Sequence, residues 1–140
     1  MKLILVATGV SIILAIPDVG SANELACLPG ARAHVYEHRA FVVSVDESKR
    51  LHADLEHHSD EIGLSYSSVG GYDPYEKPPL RSMDSILQSK SVGTVVEVRT
   101  SNRSRYAKIT VGNNCFAPSE DWRPYWTKFN AMLDRLGYGK

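Results

Sequence analysis

This chain has little of what marks most enzymes and nucleic-acid-binding proteins. Its 140 residues balance 16 Lys and Arg against 16 Asp and Glu, so the net charge is zero. No run of like charge breaks that balance. Sequence-blind nucleic-acid and anionic-membrane partners need a basic surface field, so nucleic acid is not an expected partner. There is no G-x-S-x-G elbow, S-x-x-K pair, phosphate-binding P-loop or dinucleotide fingerprint. The stretch "SSVGGYD" at 67–73 holds serines and glycines, but its pattern is that of a strand entering a turn. No pair of carboxylates is singled out by spacing for glycoside chemistry. The balance of motifs is against an enzyme, and no cofactor is expected.

Long apolar runs are scarce too. The one clear run, residues 3–16, is fourteen residues without a charge. It follows the basic start Met1-Lys2 and ends at Pro17, and "VGSA" at 19–22 places small residues before a cleavage after Ala22. That layout is a secretory signal peptide over 1–22. A membrane anchor needs about 17–25 apolar residues, which this run does not supply. Lipidation at Cys27 would want an apolar residue three positions earlier, where Glu24 stands. The expectation is a single exported domain at 23–140, periplasmic or secreted, with no stable membrane insertion after cleavage.

Only two cysteines are present, Cys27 and Cys115. In an exported chain the natural reading is one disulfide between them. Closing a loop of that length would remove denatured-state entropy worth about 4–5 kcal/mol.

What the chain does contain is an alternation of strand and helix signals. Residues 39–45, "RAFVVSV", read as a strand that starts as early as His34. Ser44 and Glu47 form a capping box, with Asp46 a competing cap, so a helix is expected from Glu47 to Glu61, stopped by Gly63. Residues 64–69 give a weaker second strand, and 70–80 a loop with three prolines and two glycines. Apolar residues at 80, 83, 86 and 87 predict a short helix over 80–90. Residues 92–100 and 105–111 form a hairpin, with Thr94, Val96 and Val98 facing Ala107, Ile109 and Val111. A last helix from Trp122 or Pro124 to Leu136 carries Trp126, Phe129, Leu133 and Leu136 on one stripe and ends at Gly137. The expected architecture is α+β: an antiparallel sheet of about four strands with helices on one face, a ferredoxin-like sandwich.

The stretch "LHADLEHHSDE" at 51–61 packs three histidines and four carboxylates into one helix. At about 100° per residue, Leu51, Leu55 and Ile62 define the buried face. His58 lies about 20° from Leu51, His52 about 100° and His57 about 240°. No two of them have the i, i+4 spacing of H-E-x-x-H. His34 and His38, roughly 13 Å apart on a strand, cannot both join one ion. The stretch therefore reads as a solvated surface with His58 at the core edge and no metal site. A small hydrolase or a metal- or ligand-binding protein built on these histidines is the rival reading.

The remaining features suit contact with another protein. Tyr72 and Tyr75 flank Pro74 in the loop, with Pro78 and Pro79 beyond. Tyrosine is a favoured interface anchor, and a stiff loop loses less entropy on binding. Trp122 adds an aromatic elsewhere, and Arg99, Tyr106 and Lys108 sit on the polar side of the hairpin. These six residues are the candidate partner-binding set, in a protein-binding module acting as an inhibitor or an immunity protein by analogy of size and compartment.

Overall fold

The computed structural model describes residues 33–139. The expected leader at 1–22 and Cys27 lie outside them. The element order is β1 (Ala33–Val42), α1 (Val45–His58), a 3₁₀ turn (Ser59–Ile62), β2 (Leu64–Asp73), β3 (Leu80–Ser89), β4 (Thr94–Ser101), β5 (Tyr106–Asn114) and α2 (Arg123–Leu136). The strands make one sheet in the order β1-β5-β4-β3-β2, and every ladder is antiparallel. The fold is α+β, as composition and element order implied.

Two details of the expected architecture change. The sheet has five strands rather than four, and the ferredoxin-like arrangement is not what forms. That arrangement repeats β-α-β around a split unit, whereas here α1 is followed by a four-strand meander that returns β5 beside β1.

The added strand is β3, where the apolar spacing predicted a helix over 80–90. Ser85 and Ser89 sit buried beside Leu87 on the core side, while Ile86 is buried on the opposite face. Serines at core positions hide the period of two. Pairing with β2 on one side and β4 on the other then decides the conformation. The expected loop at 70–80 is correspondingly shorter, because β2 continues to Asp73.

The other two helix signals hold. The Ser44 hydroxyl accepts from the Glu47 amide at 3.0 Å, and the Ser44 amide donates to the Glu47 carboxylate at 2.9 Å, closing the capping box. Gly63 (φ 76°) and Gly137 (φ 91°) end the two helical segments in left-handed conformation, where a side chain would be strained.

Both helices cover one face of the sheet. Leu51 and Leu55 of α1 and Phe129, Met132 and Leu133 of α2 meet Leu87, Val96, Val98, Ala107, Ile109 and Val111 in one buried cluster. The expected hairpin forms and its apolar residues share one face, but the register is shifted by two: Thr94 lies opposite Asn113, Val96 opposite Val111 and Val98 opposite Ile109. α2 lies toward β1: Arg39 donates to Asn130 at 2.5 Å and the Trp126 indole donates to Glu37 at 3.1 Å. α1 lies toward β3 and β4, which places its N-terminal half beside the far end of the β2–β3 hairpin. The helices are tied together where the Tyr138 hydroxyl donates to Asp54 at 2.6 Å and accepts from Arg50 at 2.8 Å. Among the described residues no helix is long and apolar enough to cross a membrane.

Candidate functional site

The tip of the β2–β3 hairpin carries Tyr75, the most exposed of the large hydrophobic side chains among the described residues, and its shape is built by a neighbouring turn. Asp73 accepts from the Tyr75 amide at 2.9 Å, which folds the chain over Pro74. From the β4–β5 turn, the Asn102 amide donates to the Arg81 carbonyl at 2.9 Å. The Asn102 side-chain carbonyl accepts in return from the Arg81 amide, also at 2.9 Å. The ladder thus gains one more rung, with a side chain standing in for backbone. The Asn102 side-chain amide also donates to the Pro79 carbonyl at 2.9 Å. Arg103 continues the brace, donating to the Pro78 carbonyl at 3.0 Å and to Glu76 at 3.2 Å. The Arg81 guanidinium lies 4.5 Å over the Tyr72 ring. The loop is therefore fixed along its return limb, while Tyr75 projects 90 % exposed and Tyr72 56 % exposed.

A groove runs from this tip along α1. Its outer part, about 210 Å³, lies between Val45, Ser48 and Lys49 on the helix and Arg81, Met83, Thr100 and Asn102 on the hairpins. A further cleft of about 350 Å³ continues past Lys49, His52, Glu56, Tyr66 and Ser68. Arg81 and Asn102 thus shape both the tip and the groove, and the two form one surface.

Beneath the groove lies a residue that the helical wheel placed in solvent. His52 is only 4 % exposed. Its Nδ1 is 2.6 Å from the Ser85 hydroxyl and its Nε2 is 2.8 Å from the Thr100 hydroxyl, and Ser85 donates onward to the Tyr66 hydroxyl at 3.0 Å. His52 is buried because the sheet extends past α1 to β2, so the helix flank at His52 is covered as well as the stripe through Leu51 and Leu55. Burial pushes the His52 pKa down, and the charge of Asp84 pulls only part of the way back. Chemically the network holds rather than attacks. Ser85 is fully buried, and Thr100 stands where a triad would need a carboxylate.

The other histidines behave as the wheel expects. His57 is exposed, and His58 is half-buried with its Nδ1 2.6 Å from Glu61, which Arg135 also contacts at 2.8 Å. Among the described residues no three His, Cys, Asp or Glu side chains form a group able to hold a metal ion.

The six candidate contact residues separate into three places. Tyr72 and Tyr75 share the tip. Arg99, Tyr106 and Lys108 lie on the uncovered face of the sheet, with Arg99 directly opposite Lys108. There Arg99 donates twice to Asp84 at 2.9 Å and once to Glu97 at 3.2 Å, so its charge is already matched. Trp122 is half-buried, stacked on Tyr36 at 5.5 Å and packed against the core. Lys49, Arg81, Met83, Asn102 and Arg103 were not foreseen, because only the strand register brings "SNRS" beside the proline loop.

No protein-family model matches the chain, and neither a curated protein nor a solved structure is similar to it.

Proposed function

We propose that the chain is an exported protein-binding module that docks on another protein through the braced hairpin tip, with Tyr75 as the anchor. The observation that carries this reading is the contrast at the tip. An aromatic side chain is left 90 % exposed on a loop whose backbone is held by four hydrogen bonds with Asn102 and Arg103, and whose Glu76 side chain accepts a fifth from Arg103. Exposing a tyrosine gains nothing in the free protein, whereas a preformed loop loses little entropy when a partner closes over it. Lys49 and Arg81 at the groove mouth add positive charge beside the anchor and suit an acidic rim on the partner. In the periplasm such a module acts as an inhibitor or an immunity protein.

The test is capture of the partner with the processed chain, followed by titration of variants. Tyr75→Ala weakens binding by about 2 kcal/mol or more, roughly thirtyfold. It leaves unfolding stability within about 0.5 kcal/mol, because the side chain supports nothing in the fold. Equal affinity for wild type, Tyr75→Ala and Tyr72→Ala would remove the tip from the interface and the proposal with it.

Export and cross-linking belong to the same reading. Cys115 directly follows β5, whose Asn114 is paired with Ala33 at the start of β1, and no cysteine among the described residues is free. A bridge to Cys27 then ties down the segment leading into β1. Intact-mass analysis of extracytoplasmic protein finds a chain starting at Asn23, without lipid, and thiol labelling after denaturation finds no free thiol. Residues 1–22 retained, or two thiols labelled, count against it.

A further inference from the structure

The two edges of the sheet are unlike. β1 carries Glu37, His38 and Arg39, has a register shift between Val35 and Glu37, and sends Glu37 and Arg39 onto α2. Charge and irregularity of this kind discourage a further strand from pairing. β2 has neither. It is ten residues long, pairs with β3 without a register shift, contains no proline, and has no charged residue before Asp73. It is exposed from Ser67 onward, and among the described residues no strand pairs with its outer edge. A long, straight, uncharged edge is a template for another strand.

We propose that a second copy of this chain occupies that edge, the two β2 strands running antiparallel about a two-fold axis and joining both sheets into one. The sequence of β2 is what selects a second copy. In an antiparallel pair directly opposite residues share a face, so a two-fold axis relates positions of equal parity. With the axis at Ser68, Ser67 meets Val69, Tyr66 meets Gly70 and Leu64 meets Tyr72. No charged residue meets another across this seam, and opposite each Tyr66, whose hydroxyl is held by Ser85, stands a Gly70 that brings no side chain to obstruct pairing. A two-fold interface has to be complementary to itself, which β2 satisfies. This inference goes beyond the tip reading and does not depend on it, since Tyr75 lies outside the paired strand.

Sedimentation equilibrium of the processed chain, from low to high micromolar concentration, tests it. The fitted mass rises from one chain to two. The double variant S67K/V69K places lysines on the uncovered face of the seam, where each meets a lysine of the other copy. Both native side chains are exposed, so the fold is retained, as an unchanged circular dichroism spectrum will show, while self-association weakens about tenfold or more. Ala40→Lys, on the uncovered face of β1, leaves association unchanged. Three outcomes overturn the proposal: a mass of one chain at every concentration, which leaves the edge to a foreign strand; a dimer indifferent to S67K/V69K; or a dimer lost with Ala40→Lys.

Discussion

Leu55→Ala lowers the unfolding free energy by about 2–5 kcal/mol. Leu55 is 0 % exposed and sits in the cluster that joins α1, the sheet and α2. Truncation removes the transfer energy of the side chain and leaves a cavity whose walls belong to three layers. Such a site collapses poorly, because closing it would move a helix against two neighbours. Helix propensity does not offset this, since Ala and Leu differ little in a helix interior. At about 4–8 °C per kcal/mol for a domain of this size, the melting temperature falls by about 8 °C or more. Urea denaturation beside Glu56→Ala, an exposed neighbour on the same helix, gives the comparison. A loss for Leu55→Ala below about 1 kcal/mol would show that α1 does not pack on the sheet as described.

His52→Gln costs about 1–3 kcal/mol, where the same change at exposed His57 stays within about 0.5 kcal/mol. Glutamine is more flexible than imidazole and cannot satisfy both the Ser85 and Thr100 hydroxyls at their present positions. One buried hydroxyl is left without its partner, and the Tyr66 end of the chain loses its alignment. The same residue makes stability depend on pH. Burial depresses the His52 pKa in the folded protein. The unfolded chain therefore takes up the proton first as the pH falls. The contribution of neutral His52 is complete above about pH 6.5, the value of free histidine, and is lost as the pH drops from there through the depressed folded value. Carboxylates held below their usual range, such as Glu61 beside His58 and Asp121 beside Arg123, act only at lower pH. Denaturation at about pH 7.5 and about pH 5.5 thus separates the two. Wild type loses stability between these values, and His52→Gln loses markedly less. An equal loss in both proteins would place the origin elsewhere.

Local chemistry made some elements legible in the sequence. The capping box at Ser44 and Glu47, the glycine stops at Gly63 and Gly137, and the apolar stripe of α2 each depend on residues within a turn or two of one another. The hairpin of β4 and β5 was legible for a related reason: alternation on either side of a short turn shows that Val96, Val98, Ile109 and Val111 share a side, although their pairing is shifted by two residues from the expected one. Tyr72 and Tyr75 stand out in the sequence as aromatics beside a proline-stiffened loop, and their exposure is seen only in the structure, where Tyr72 belongs to β2.

Tertiary structure decided the rest. β3 has the apolar spacing of a helix and becomes a strand because both its edges find partners, an energy that no local pattern contains. His52 is buried because the sheet is wide enough to reach past the helix stripe, and sheet width depends on that same β3. The brace from Asn102 and Arg103 to the proline loop spans more than twenty residues of sequence and exists only once β3 and β4 are in register. Sequence periodicity reports which face of an element is apolar. How far that face extends, and which distant polar groups meet at its rim, is set by the pairing of strands whose order the periodicity does not encode.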